Sequence, residues 1–230
     1  TKANTYNLSG DFKYSYVNEG GAKTGIASSL NIGETSGQYR YSLGADIMTK
    51  DYDINDLGIN FQTNYYSLYG NANYRILKST KYFNSFNLNL NAFTQFQKET
   101  GFVQGNNFNL NVNINNKKNH YFGLGINANP LENNDFYEPR AENRYVIIPS
   151  RVGAWFYFSS NYNYKFAFDF NPSYANFNEE GRNSYGFSMG PRYRFSDKFL
   201  LNFNFNFLRQ NNNKGFVDSF DNDGNSTTPN

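Results

Sequence analysis

The stretch that decides the fold is Phe108–Asn115, which reads FNLNVNIN. Large apolar residues occupy every second position, and Asn occupies each position between them. A β-strand places successive side chains on opposite faces, whereas an α-helix repeats every 3.6 residues. The alternation therefore predicts a strand with one apolar face and one face of amides.

The same pattern returns in FNLNLNAF (residues 86–93) and in FLLNFNFNF (residues 199–207). Asn is a poor strand former, so its dense use on one face indicates that this face is hydrated. Applied along the chain, the pattern predicts about eleven strands, near one per 20 residues. This spacing suits transmembrane strands of roughly 9–11 residues plus their connections. They lie near residues 4–17, 23–32, 38–49, 64–77, 84–97, 105–115, 120–129, 150–159, 164–175, 184–195 and 199–209.

The connections between these strands alternate in length. Short connections, such as 33–37 and 196–198, alternate with longer ones, at 51–63, 98–104, 131–149 and 176–183. Short periplasmic turns opposite long external loops are typical of outer-membrane barrels. We therefore expect an all-β fold, a transmembrane antiparallel up-and-down β-barrel of about eleven strands over residues 1–210. Residues 211–230 are expected to form a polar extracellular loop or tail. A soluble sandwich is disfavoured because its strands are usually shorter, and no solenoid repeat is present.

The odd strand count has a consequence for closure. The first and last of eleven alternating strands run in the same direction, so an antiparallel seal between them is not available. Open edges in lipid leave backbone groups unsatisfied at a cost of several kcal/mol each. We expect this chain to be part of a larger barrel; closure with a twelfth strand is the alternative.

Composition excludes several classes of function. The 230 residues carry a net charge of +2 and no basic block, so nucleic acid is not an expected partner. Cysteine is absent, which removes thiol chemistry and zinc–thiolate sites. The single histidine, His120, makes a His-based metal cluster or a Ser-His-Asp triad improbable. The sequence thus predicts a protein without catalytic residues and without a cofactor.

Charged and aromatic residues in the inward phase are the candidate lumen-lining residues. They are Arg40, Asp46, Arg75, Arg151, Trp155, Lys165, Asp169, Arg192 and Arg194. A lumen that selects or binds solutes is one interpretation, and a hydrated ion-pair network that braces the wall is the other. Trp155 and Tyr157 beside Arg151 form either a platform for stacking sugars or ordinary lumen filling.

The loop after the third strand is the candidate for metal. Asp51, Asp53 and Asn55 occur at the spacing with which calcium loops begin, but the glycine and distal glutamate of such loops are missing. We therefore expect an Asp- and Asn-rich turn bonded to its own backbone, and no tightly bound ion.

Several segments together resemble a family of large outer-membrane proteins of Bacteroidota-type bacteria. They are ADIMTKDYDINDLGINFQTNYYSLYGNANYRI (45–76), FNLNLNAF (86–93), FNLNVNIN (108–115), GLGINANPLENNDFYEPR (123–140), GAWFYFSSNYNYKFAFDFNPSYANFNEEG (153–181) and SMGPRYRFSDKFLLNFNFNF (188–207). Members pair an N-terminal domain like family-9 carbohydrate-binding modules with a C-terminal barrel domain of unknown function. The resemblance implies an outer-membrane barrel and supplies no catalytic residues.

The expected function is accordingly non-enzymatic, in the outer membrane of a Gram-negative cell. Transport, surface binding and a structural role in a larger complex remain open, with a glycan-handling protein whose active domain lies elsewhere as the alternative. The expected partners are outer-membrane lipid and lipopolysaccharide, other outer-membrane subunits, and glycans.

Overall fold

The computed structural model describes residues 5–18, 20–55, 62–136, 138–139 and 144–214. These residues form strands and connections, and they contain no helix long and apolar enough to cross a membrane. The strands are β1 (Tyr6–Asn18), β2 (Ala22–Glu34), β3 (Tyr39–Met48), β4 (Tyr65–Ile76), β5 (Phe83–Gln97), β6 (Val103–Asn116), β7 (Tyr121–Asn129), β8 (Asn133–Asp135), β9 (Val146–Ile148), β10 (Arg151–Ser159), β11 (Phe166–Phe177), β12 (Asn183–Ser196), β13 (Phe199–Asn202) and β14 (Phe205–Asn211).

Twelve of these strands form one antiparallel up-and-down sheet. Each strand pairs with the next one along the chain, except that β7 pairs with β10 across the small β8–β9 hairpin. β13 and β14 both pair with β12, one after the other, so they occupy a single position in the sheet. The sheet is therefore eleven positions wide, which confirms the eleven predicted strands.

The sheet is not closed. Among the described residues, β1 pairs with β2 alone, and β13 and β14 pair with β12 alone. This confirms that these strands do not seal into a barrel by themselves. The predicted tail at 211–230 lies mostly outside the described residues, and β14 extends as far as Asn211.

The predicted alternation of short and long connections is only partly right. The connections 49–64 and 130–150 are long, as expected. The expected long loops near residues 98–104 and 176–183 are tight turns at 98–102 and 178–182, because the flanking strands extend further than the apolar pattern. The difference in length between the two ends of the sheet therefore rests on two connections.

The two faces of the sheet differ sharply in chemistry. Side chains that pair across neighbouring strands point to the same face. Leu90 pairs with Leu110, which pairs with Ile126, whereas Asn91 pairs with Asn109. The apolar row and the amide row therefore lie on opposite faces, as the sequence predicts.

The apolar face is not covered. Leu8 is 68% exposed and Leu43 is 61% exposed, and exposed large side chains continue across the sheet to β14. In the described part of the chain, the buried hydrophobic residues are Ala27, Tyr52 and Ala167. The sheet thus has no apolar core of its own, and its stability within the described residues comes from backbone pairing and from the polar face.

Candidate functional site: the concave polar face

The polar face is the concave face of the sheet. One cavity of about 670 Å³ is lined by polar-face side chains that extend from Asn113 on β6 to Asn206 on β14. A second, of about 570 Å³, extends from Arg40 on β3 to Tyr121 on β7. Single cavities bounded by five or six strands require the sheet to curl around this face. Polar side chains thus line a shared hollow.

The candidate lumen-lining residues of the strands share this face. Register places Arg40 beside Asn73, Arg75 beside Asn87 and Arg151 beside Asn129. Trp155 lies beside Gly125 and Ser173. Further pairings place Asp46 beside Ser67, Asp169 beside Gly190, Arg192 beside Asn202 and Arg194 beside Leu200. Lys165 lies just before β11, where its carbonyl accepts a hydrogen bond from the Arg194 N–H.

An amide row crosses four strands of the concave face. The row consists of Asn71, Asn91, Asn109 and Asn127, and the Nδ2 of each residue donates to the Oδ1 of the next. The first of these hydrogen bonds is 2.7 Å long and the second is 3.3 Å. The amides thereby satisfy one another and fix their rotamers, which explains why a poor strand former is stable here.

The Trp155 ring packs against the backbone of β7 on the concave face. A Cβ added at Gly125 would stand 2.3 Å from Cε2 and Nε1 of the indole, and one added at Gly123 would stand 3.0 Å from Cζ3. Two glycines on one face of β7 therefore form a seat for the ring. With one side of the indole against the backbone, the ring lines the cavities to either side of it.

Tyr121 and Tyr157 line the cavity of about 670 Å³ together with Trp155. The Tyr121 and Tyr157 rings meet edge to face with centroids 5.9 Å apart. The Tyr121 hydroxyl donates to Oδ1 of Asn113 at 2.7 Å, and the Tyr157 hydroxyl donates to Oδ1 of Asp169 at 3.3 Å. Tyr162, in the turn between β10 and β11, also donates to Asp169, and this hydrogen bond to a carboxylate raises the Tyr162 pKa. The rings of Tyr121 and Tyr157 are therefore held in place.

Among the described residues, no ion pair includes one of the charged candidates. The ion pairs among the described residues are Lys13–Asp11, Arg182–Glu179 and Lys214–Glu179, none of which includes a candidate residue. The part of the chain that the structure describes therefore shows no ion pair of the bracing network, and both interpretations of these charges stay predictions. Register separates each charge from the opposite ones by uncharged neighbours.

Neutral groups bind these charges instead. Arg151 donates to Oδ1 of Asn129 at 2.7 Å, and the Ser67 hydroxyl donates to Asp46. Arg192 stands over the Tyr162 ring at 4.9 Å, while the Nε of Arg75 is buried without a hydrogen-bond partner.

The loop after β3 folds onto the concave face. Tyr52 is 6% exposed, and its backbone would lie 2.1 Å from a Cβ added at Gly25. The N–H of Asp53 donates to the buried Ser15 hydroxyl at 3.0 Å, and Oδ1 of Asp53 accepts the N–H of Asn55 at 2.8 Å. The carboxylate of Asp53 thus closes the local turn that the sequence predicts. Among the described residues no group of three acidic, histidine or cysteine side chains is arranged to hold a metal ion.

A family model described as a domain of unknown function, DUF5916, matches residues 1–228. The chain belongs to the DUF5916 family. The match confirms that the chain is a domain of unknown function. The outer-membrane barrel, the carbohydrate-binding module and the bacterial source stay predictions. No significant match was found among curated proteins or among solved structures.

Sequence reasoning missed part of this DUF5916 site. It did not single out Tyr121, Tyr162 or the two glycines under Trp155. The spacing of Gly123 and Gly125 was the available signal, since glycine at alternate strand positions marks the close approach of another group. Tyr121 directly follows a turn and gave no separate signal.

Proposed function

We propose that this DUF5916 domain is a wall of a transmembrane β-barrel in the outer membrane of a Gram-negative cell. Its concave amide face lines a hydrated interior, and its apolar face contacts lipid and lipopolysaccharide. The domain has no enzymatic role and serves passage or binding of polar solutes, alone or within a larger outer-membrane complex.

One observation carries this proposal: the exposed face is apolar and the sheltered face is polar. Water-soluble proteins bury large apolar side chains and rarely expose extended apolar patches. Here the arrangement is inverted, with Phe12 and Leu8 each 68% exposed while Ser67 is 2% exposed. A hydrocarbon solvent outside the sheet and water inside it account for both faces.

Strand length and the open edges support the same interpretation. The sheet strands β4, β5 and β6 are 12, 15 and 14 residues long, enough to cross a hydrocarbon core at the tilt of a barrel wall. The unpaired edges of β1 and β14 cannot face lipid without a large cost. Strands outside those described here therefore complete the wall.

A glycan-handling role is the second candidate, with any catalytic activity located outside this chain. The flat Trp155 ring in an uncharged groove favours it, because aromatic platforms and amide groups are suited to carbohydrate.

Cysteine labelling tests the proposed barrel. This chain has no cysteine, so single substitutions in the full-length protein, with any native cysteines elsewhere replaced, give unambiguous sites. Asn111→Cys and Val112→Cys are adjacent residues of β6 on opposite faces, and Asn204→Cys and Phe203→Cys form a matched pair near the other edge. In intact outer membranes, a membrane-impermeant maleimide should label the two Asn positions and leave the Val and Phe positions unlabelled.

After detergent solubilisation and denaturation all four positions should react, which controls for expression. Equal labelling of both faces in the membrane, or recovery of the protein in a soluble fraction, contradicts the barrel.

A further inference from the structure

The cavity of about 670 Å³ beside Trp155, here called the Trp155 groove, has an unusual lining. Its described lining combines five aromatic residues with uncharged polar groups such as those of Asn171 and Ser188, and none of these described residues is charged. The aromatic residues are Tyr121, Trp155, Tyr157, Phe187 and Phe207, and Leu208 lies beside them. Its volume lies within the range of about 300–1,000 Å³ that is typical of small-ligand sites.

This lining excludes several classes of ligand. A phosphate or carboxylate would lack a cation in the groove, and a purely apolar ligand would leave the amides and hydroxyls of Asn171, Ser173 and Ser188 without partners. An uncharged sugar fits both requirements. Its C–H face packs on an aromatic ring, whose face carries partial negative charge, and its hydroxyls exchange hydrogen bonds with amides and hydroxyls.

The aromatic surfaces are already in position. Gly123 and Gly125 seat the Trp155 ring against the sheet, and the hydroxyls of Tyr121 and Tyr157 are anchored on Asn113 and Asp169. A binding surface that is fixed before the ligand arrives loses little conformational entropy on binding.

We infer that the Trp155 groove binds an uncharged oligosaccharide, with Trp155 as the stacking platform. The inference rests on the proposed function, in which the concave face lines a hydrated interior. It deepens that function by naming the class of solute that the interior recognises.

Isothermal titration of the full-length protein in detergent micelles tests the inference. The probes are maltohexaose, cellohexaose and xylohexaose, with hexagalacturonate as a charged oligosaccharide of equal length. At least one uncharged hexasaccharide should bind, and more tightly than hexagalacturonate. Trp155→Ala should weaken this binding about ten-fold, since it removes a ring face whose contact with the sugar excludes water.

Tyr174→Ala is the matched control, because Tyr174 is an aromatic residue of the neighbouring strand β11 that is 51% exposed on the apolar face. It should leave the affinity unchanged. Trp155→Phe, which keeps a smaller ring, should cause an intermediate loss and serves if Trp155→Ala does not reach the membrane.

Absence of binding to all three uncharged probes overturns the inference, as does preferential binding of hexagalacturonate or an unchanged affinity in both Trp155 variants. These results are separable from failure of the barrel itself. The cysteine labelling pattern of β6 reports the two faces independently, so correct labelling without sugar binding rejects the sugar site alone.

Discussion

Replacement of Gly125 by alanine tests the seat beneath Trp155 most directly. The added Cβ would stand 2.3 Å from Cε2 and Nε1 of the indole. Carbon atoms pack at about 3.5–4.0 Å, so the ring would have to move by about 1.2 Å or more. The opposing atoms belong to a rigid two-ring system, which cannot yield by rotating a terminal bond.

The expected cost is that of an overpacked site, about 1–3 kcal/mol. Gly190→Ala is the matched control, because Gly190 is also a strand glycine of the concave face and its added Cβ would meet nothing closer than 3.5 Å. The free energies of unfolding of both variants are measured by urea titration of the full-length protein in micelles. Gly125→Ala should unfold at lower urea, and Gly190→Ala should not.

A double-mutant cycle then assigns the cause. In a Trp155→Ala background the penalty of Gly125→Ala should largely disappear, because the clashing ring is absent. Equal midpoints for the two glycine variants, or a Gly125→Ala penalty that persists without the indole, would refute the seat.

Three further results are expected. If the proposed barrel spans a membrane, Leu110→Arg should destabilise it by about 2–4 kcal/mol, as a charge on the lipid face near the midplane does, while Asn111→Arg should be tolerated. Urea titration in lipid vesicles compares the two variants, and equal costs would count against the assignment of the faces. The two ion pairs of Glu179 lower its pKa below the usual 4.5, so the stability they contribute is present above that value and is lost as pH falls through the lowered pKa. The difference in urea midpoint between wild type and Glu179→Gln should accordingly be constant above pH 6 and shrink in acid, and a difference that grows in acid would contradict this. Asn106 is 4% exposed and forms hydrogen bonds with both the N–H and the C=O of Leu131. Asn106→Ala should therefore be cleaved faster than wild type next to Leu131 in limited proteolysis, and equal rates would count against this role.

The strands and their two faces were predictable because a single local rule produces them. In β6, Asn and apolar residues alternate, so each residue type occupies one face of the sheet. A one-residue shift in register would place Asn111 on the apolar face among leucines. Pairing between sequential strands then follows from short connections. For this reason the eleven positions of the sheet and the face of Trp155 could be derived from sequence alone.

The features that escaped prediction depend on distant residues. The β8–β9 hairpin has strands of three residues, too short for a period to be recognised. The loop at Tyr52 can pack onto the concave face because Gly25 leaves room for its backbone, and Gly25 lies in β2, well before the loop in the sequence. The seat of Trp155 depends on glycines of β7, which becomes a neighbour of β10 only across a connection of about twenty residues. The sequence pattern predicts which face of the sheet a side chain occupies. It does not predict which residue of the neighbouring strand lies opposite it.

The amide row has a direction. Asn71 donates to Asn91, Asn91 donates to Asn109, and Asn109 donates to Asn127, so the small dipoles of the carboxamides add instead of cancelling. The row begins at the β4 end with the Asn71 oxygen and finishes at the β7 end with the NH₂ of Asn127, which lines the same cavity as Trp155. A solute moving around this wall would meet an acceptor first on one side and a donor on the other, without encountering a net charge. Because every amide's orientation depends on its neighbour's, the polarity of the row can reverse only if all four carboxamides turn together, and one Asp in the row would leave two acceptors facing each other. The row therefore has a fixed electrical polarity. Because carboxamide groups do not ionise, a change in pH does not alter this polarity.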